Sequence, residues 1–288
     1  MPELPEVETI RRGVAPYLDN RTIKTLTINR NDLRVPIPEN TRQIIQGQKV
    51  IGLDRHGKYI LVALGNDQTI IWHMGMSGTV RIYKNQNPDP DQNPETGLES
   101  KKHDHVIMES CQGDVIVYND PRRFGMFYTM PTAQISAQRP FVDMGADALA
   151  VTAESFFSLL QSRKSPIKTV LLDQAVVAGL GNIYVCEALF YTGISPQRAA
   201  CDVTKAETEA LVKNFKKILA LSIEKGGSSL KDHRMTDGSM GYFQNFFHVY
   251  GKKGLPCPDC TCDPEQTGGI AQIKQAGRST FYCPQKQA

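Results

Sequence analysis

The sequence has no apolar run near the ~20 residues that a membrane-spanning helix needs, which excludes a helical membrane anchor. It also lacks a strong excess of charge of one sign. Thirty-three Lys and Arg against 30 Asp and Glu leave a formal net charge of +3, which permits nucleic-acid binding without requiring it. No basic, apolar leader precedes Pro2, so the chain is expected to carry no signal peptide and to work in the cytoplasm. There its seven cysteines should be mostly thiols or metal ligands rather than disulfides. Two phosphate-binding fingerprints are incomplete. Gly179-Leu-Gly-Asn182 has no third glycine and no convincing strand before it, which excludes a dinucleotide fold. Gly52 to Gly57-Lys58 has phosphate-loop spacing, but Tyr59 stands where a magnesium-binding Ser or Thr is needed.

At 288 residues the chain suits two domains with sizeable cores. Val7, Ile10, Val14 and Leu18 recur at helical spacing and predict a helix over 2–19 with one buried face. From Ile23 to Met130 the pattern turns to strands. Runs at 24–28, 59–64, 69–73 and 115–118 are apolar or alternating and are separated by Gly, Asn and Asp. This suggests a β-sandwich. Residues 85–100 are polar and proline-rich and are expected to form a mobile surface loop without a catalytic role. From about Thr152 the period is helical again. Leu211, Val212, Phe215, Ile218, Leu219 and Ser222 form one stripe, on a helix that Gly226-Gly227 ends. The fold class is therefore α+β.

Candidate chemistry begins at the N-terminus. Removal of Met1, which a small second residue permits, would leave Pro2 with a secondary amine. An α-amine has a pKa near ~8, so much of it is neutral at physiological pH. Such a nitrogen can attack an electrophilic sugar carbon and form a cationic imine, as lysine does elsewhere. Glu3, one residue away, could act as the acid. Proline also simply starts helices well, so the dipeptide alone leaves both readings open.

Six motifs extend the chemical reading. Met1-Pro-Glu-Leu-Pro-Glu-Val-Glu-Thr9, His73-Met-Gly-Met-Ser-Gly78, Lys102-His-Asp-His105, Asp120-Pro-Arg-Arg-Phe-Gly125, Gly179-Leu-Gly-Asn-Ile-Tyr184 and Gly277-Arg-Ser-Thr-Phe-Tyr-Cys283 follow in order along nearly the whole chain. This set resembles the formamidopyrimidine-DNA glycosylases, bacterial enzymes that excise oxidised purines. The resemblance implies a bifunctional glycosylase and apurinic-site lyase acting on damaged double-stranded DNA. It would work as a monomer, with no redox cofactor, at the bacterial nucleoid. The implied organisation is a catalytic helix and β-sandwich over 2–131, a linker over 132–151, a helix–two-turn–helix domain over 152–245 and a C-terminal zinc-finger hairpin over 246–288.

The resemblance also assigns residues. Pro2, Glu3, Lys58 and Arg278 would be catalytic, Lys58 and Arg278 in the elimination steps. A base inside a duplex must be extruded before it can be reached. Met76, Arg122 and Phe124 would fill the hole and Arg122 would contact the orphaned partner base. Arg122 lies in a turn-like segment and should be exposed. His103, Arg163, Lys168 and Asn182 would hold phosphates. Residues 230–243, which include Tyr242, would read the lesion through main-chain N–H groups, and their length disfavours an oxidised-pyrimidine glycosylase. A catalytically inactive DNA-damage binder is the more distant alternative. Retention of Pro2, Glu3 and Lys58 speaks against it.

The chain departs from this family at its end. Cys257-Pro-Asp-Cys260 has zinc-knuckle spacing, but the second pair is broken, with Cys283 present and Lys286 at its partner's position. An extra Cys262 lies between. Structural zinc held by Cys257, Cys260 and Cys283, with Cys262, water or another donor as the fourth ligand, is one outcome. A hairpin held by packing through Ile270, Ile273 and Phe281 is the other.

Overall fold

The computed structural model describes residues 2–85, 101–228, 236, 241–260 and 263–288. Residues 86–100 of the proline-rich segment, most of the expected lesion-reading segment, and Cys262 lie outside them. The chain divides into two compact units. The first comprises residues 1–142 and 226–242, the second 143–225 and 243–288.

The first unit opens on helix α1, Leu4–Leu18. It begins two residues later than periodicity predicts, because Glu3 is extended (φ −99°, ψ −174°) and serves as the N-cap. Pro5 sits in the first turn, where a missing N–H leaves no helical bond unmade. Val7, Ile10, Val14 and Leu18 are buried as the pattern requires. Strand β1 (Ile23–Ile28) and the short helix α2 (Thr41–Ile45) follow. After them come β2 (Val50–His56), β3 (Tyr59–Leu64), β4 (Gln68–His73), β5 (Thr79–Tyr83), β6 (Asp104–Ser110), β7 (Val115–Asn119) and β8 (Met126–Pro131). All four strand runs seen in the sequence are present to within a residue. The strands make two four-stranded antiparallel sheets, ordered β1-β6-β7-β5 and β2-β3-β4-β8. Residues of α1 and of both sheets share one core. Trp72 on β4 lies edge-on to Tyr118 of the other sheet, with centroids 5.5 Å apart, and to Phe127 of its own sheet at 5.8 Å. Truncating so large a buried ring costs about 3–5 kcal/mol.

The second unit contains strand β9 (Ala146–Asp147) and helices α3 (Ala153–Leu160) and α4 (Ile167–Leu172). Strand β10 (Val177–Ala178) and helices α5 (Asn182–Thr192), α6 (Lys205–Glu224) and α7 (Pro264–Thr267) follow, before a hairpin of β11 (Ala271–Gln275) and β12 (Arg278–Tyr282). Helix α6 starts with a reciprocal cap. The Glu207 N–H donates to Thr204 Oγ1, and the Thr204 N–H donates to the Glu207 carboxylate at 2.8 Å. Its buried stripe is Leu211, Val212, Phe215, Ile218, Leu219 and Ser222, as predicted. The helix stops at Glu224, and Gly226 and Gly227 follow with φ of +76° and +78°. Helix α5 is buried almost all round, so its sequence carries little amphipathic signal. No helix among the described residues is long and apolar enough to cross a membrane.

One charged cluster ties α1 to the first unit's second sheet. Glu8, 7% exposed, accepts hydrogen bonds from Arg11, Arg12 and Arg55. Burial pushes its carboxyl up, but the Arg11 and Arg12 hydrogen bonds and the charges of Arg11 and Arg55 outweigh this and hold it at about 2. A carboxyl depressed from 4.5 to about 2 contributes stability above pH 4.5 and loses it as the pH falls toward 2. Glu8→Gln should therefore destabilise the protein at neutral pH and flatten the loss of stability on acidification. Urea unfolding at pH 7, 4 and 3 checks this. A variant with the wild-type pH slope would show that Glu8 does not carry it.

Candidate active site and nucleic-acid interface

Pro2 and Glu3 are buried where α1 begins. The Glu3 N–H donates to Glu6 Oε2 at 2.9 Å. The second oxygen of Glu6 accepts from Ser228, from the backbone N–H at 2.8 Å and the hydroxyl at 3.0 Å. Glu6 thus joins the first helical residues to the root of the segment expected to read the lesion. Glycine suits position 227, because a side chain would be strained at its φ of +78° and its Cβ would come 3.1 Å from Glu6 Oε1.

Lys58 sits in the two-residue turn between paired His56 and Tyr59. A lysine in a turn is usually exposed, yet this one is 6% exposed. The turn is held by Arg55, which donates to the Gly57 carbonyl at 2.9 Å and to Glu8 at 3.3 Å. His73 is buried in the same unit. Burial lowers its pKa to about 4, with help from the charges of Lys58 and Arg34, so its imidazole is neutral at physiological pH. Its Nδ1 accepts from the Gly75 N–H at 3.0 Å, which leaves the ring proton on Nε2.

Met76, Arg122 and Phe124 come together on two turns. Met76 and Phe124 are 38% and 42% exposed. The Arg122 guanidinium lies over the Phe124 ring, 4.9 Å from its centroid. Both turns are fixed by buried Asp120. Its carboxylate accepts from Ser77 Oγ at 2.6 Å, the Gly125 N–H at 2.8 Å and the Tyr118 hydroxyl at 3.3 Å. Ser77 Oγ in turn accepts from the Arg122 N–H at 3.2 Å, and His105 Nε2 donates to the Asp120 carbonyl at 2.8 Å. At Gly75, with φ of +64°, any side chain would collide with the backbone of Phe124 and Gly125. Arg123 has φ of +56° and pairs with Asp32. Tyr242 is 63% exposed, and His103 is half-buried with its ring edge-on to His105.

The remaining assigned residues belong to the second unit. Arg278 is exposed at the tip of the β11–β12 hairpin. It pairs with Gln275 across Ala276-Gly277, both of positive φ, a two-residue turn suited to the twist of the strands. Lys168 is fully buried rather than solvent-facing. Its ammonium donates to Thr280 Oγ1 at 2.7 Å and the Ser279 carbonyl at 3.3 Å. Asn182 Nδ2 donates to the same carbonyl at 2.8 Å. Arg163 is partly exposed and lies 3.6 Å from Asp173.

The sulfurs of Cys257, Cys260 and Cys283 lie within 4.8 Å of one another, with Cys260 and Cys283 at 3.6 Å. Three thiolates with this spacing suit a tetrahedral metal. The fourth corner does not, because Lys286 is a cation with no lone pair to offer. Cys260 is also disulfide-bonded, an exception to the expected cysteine chemistry, so all three sulfurs could bind a metal only after reduction.

Glu6, Ser228, Glu8, Arg55, Ser77 and Asp120 were not singled out from the sequence. Glu6 had a signal, a carboxylate three residues after an N-cap, and so did Glu8, with arginines three and four residues on. Ser228, Arg55 and the Ser77–Asp120 pair depend on partners remote in sequence.

Sequence models of the formamidopyrimidine-DNA glycosylase N-terminal domain and H2TH domain match residues 1–127 and 144–234. Formamidopyrimidine-DNA glycosylases of Ruegeria pomeroyi and Rhodospirillum centenum are each 44% identical over the full length of both chains. Among solved structures, a Lactococcus lactis FPG mutant in complex with Fapy-dG-containing DNA superposes with a TM-score of 0.85 at 31% identity, covering 99% of each chain. The L. lactis Fpg complex with abasic-site DNA gives 0.84 at 30%, again with 99% coverage of each chain. The Thermus thermophilus MutM (FPG) protein gives 0.81 at 31%, covering 99% of this chain and 98% of that one. With these matches spanning the helix, the sandwich, the helical domain and the hairpin, the chain belongs to the formamidopyrimidine-DNA glycosylase family.

Proposed function

We propose that the chain excises oxidised purines, 8-oxoguanine and formamidopyrimidines, from duplex DNA and then cuts the strand at the resulting site. The observation that carries this reading is the buried Pro2-Glu3 start of α1, joined through Glu6 to Ser228. It is supported by the solved complexes of an L. lactis relative with Fapy-dG and abasic-site DNA. Once Met1 is removed, the Pro2 nitrogen attacks the anomeric carbon of the damaged nucleotide. Glu3 delivers a proton toward the opening sugar and the base departs. The cationic imine acidifies the neighbouring sugar C–H. β-Elimination and then δ-elimination release the flanking phosphates, assisted by Lys58 and Arg278.

Met76, Arg122 and Phe124 fill the space left by the extruded base, on turns already stiffened by Asp120. His103, Arg163, Asn182 and Tyr242 contact the DNA, while Lys168 acts through the strand that begins at Arg278. Residues 230–243 read the lesion. Once Cys260 is reduced, any zinc ion would bind weakly through Cys257, Cys260 and Cys283, with Cys262 the expected fourth thiolate. The substrate places the enzyme with the chromosome in a bacterial cytoplasm.

A panel of duplexes, each with one lesion, tests the reading on denaturing gels. Cleavage at 8-oxoguanine and formamidopyrimidine opposite cytosine, leaving phosphates at both ends of the gap, is expected. Cleavage only at oxidised pyrimidines would place the chain in the related branch. Tight binding without cleavage would make it a damage binder.

Two variants probe separate parts. A chain with an uncleaved N-terminal tag should lose excision while duplex affinity falls much less, because affinity comes mainly from phosphate contacts. Full turnover by protein shown by mass spectrometry to retain the tag would exclude Pro2. Arg122→Ala should slow excision from duplex by about tenfold or more, roughly 1.4 kcal/mol of transition-state stabilisation. It should also blunt opposite-base discrimination and leave the melting temperature unchanged. Unfolding, or normal rates opposite every base, would remove Arg122 from the void-filling role.

A further inference from the structure

We propose that the C-terminal hairpin of this chain keeps its shape without a metal, because Lys286 joins the two cysteine turns that a metal would otherwise join and Gln287 ties the second of them to the chain at Ile194. The Lys286 N–H donates to Cys283 Sγ at 3.5 Å, so Cys283-Pro-Gln-Lys286 retains a turn closed on the sulfur even though its fourth residue is not a cysteine. The other turn, Cys257-Pro-Asp-Cys260, is also intact, with its sulfurs beside Cys283.

The Lys286 side chain crosses from one turn to the other. Its ammonium binds Asp259 Oδ2 at 2.6 Å, and Asp259 lies inside the Cys257–Cys260 turn. The same ammonium stands over the Phe190 ring, 4.2 Å from its centroid, which ties the junction to α5. The link therefore spans the gap a tetrahedral ion would span, with an ion pair and a ring contact in place of metal–sulfur bonds.

Gln287 closes the end from inside. It is 1% exposed, and its carbonyl oxygen accepts from the Cys283 N–H while its amide donates to the Ile194 carbonyl, each at 2.9 Å. Its own N–H donates to the Cys283 carbonyl at 2.9 Å. Cys257 and Cys283 are core residues besides, packed in one cluster with Cys186, Phe190, Val249 and Ile270. Below them, Lys168 and Asn182 hold the β12 backbone at Ser279. None of these contacts uses a metal, and the hairpin is anchored at its base, its middle and its end.

The proposal does not depend on the excision chemistry, and its test needs no DNA. Full-length protein is prepared in reducing buffer, once with equimolar zinc and once after dialysis against a chelator. Amide hydrogen exchange over 271–282, melting temperature and bound metal are measured. Chelation is expected to leave exchange and melting unchanged in the wild type. Loss of hairpin protection on chelation would overturn the proposal. Lys286→Cys should restore a four-thiolate site: zinc then binds stoichiometrically and resists the chelator, and forced removal exposes the hairpin. Lys286→Met should lose protection over 271–282 in the metal-free protein, and unchanged protection would refute the role of Lys286. If Lys286→Met does not fold, Asp259→Asn breaks the same ion pair and is read the same way.

Discussion

Glu6 has almost no access to water, and a carboxylate so placed is costly unless its oxygens are fully hydrogen-bonded. It meets that demand with the N–H of Glu3 and with the N–H and hydroxyl of Ser228. The bonding fixes two things at once. The residues that follow Pro2 must hold one conformation, and the segment that begins at Gly226 must return to the helix start. Displacing either partner leaves a buried charge short of donors. The first residues of α1 and the chain at Ser228 thus share one constraint.

The same physics recurs around the molecule. Glu8 collects three arginines, and one of them, Arg55, also holds the carbonyl beside Lys58. Asp120 gathers Ser77, Tyr118 and Gly125, and so sets the turns that carry Met76, Arg122 and Phe124. In the second unit, Glu187 is 1% exposed and accepts from the backbone N–H groups of His248, Val249 and Tyr250. Burial pushes its carboxyl up and the three hydrogen bonds oppose this. Lys168 plays the cationic counterpart beneath the strand of Arg278. In each case a buried charged side chain gathers hydrogen bonds and fixes the local backbone, and at Asp120 the fixed turns carry the exposed Met76, Arg122 and Phe124. Such hubs give the rigidity that placing a reacting nucleotide requires.

Periodicity made much of the fold legible. The spacing of Val7, Ile10, Val14 and Leu18 located α1, and alternation along 59–64 located β3, because burial of one face leaves its period in the sequence. The end of α6 was visible in Gly226-Gly227. The hubs were not visible. Glu6 and Ser228 are 222 residues apart, and Ser77 and Asp120 are 43 apart, so no local pattern records their pairing. Lysines misled in another way. Lysine is a surface residue by type, yet Lys58 and Lys168 are both buried, and Lys168 meets Thr280 and Ser279 only in the folded chain. At the finger the sequence showed a missing ligand. The bridge from Lys286 to Asp259 became apparent only when the two turns were seen side by side.

In the proposed reaction the nitrogen of Pro2 forms a covalent imine with the sugar of the damaged nucleotide. Sodium borohydride reduces such an imine to a stable amine. The most direct measurement is to mix the enzyme with an 8-oxoguanine duplex under borohydride, digest the trapped complex, and locate the modified residue by mass spectrometry. The expected result is a single adduct on Pro2, in protein that has lost Met1. An adduct on Lys58 or another lysine, or rapid excision with no trapped complex, would contradict the account.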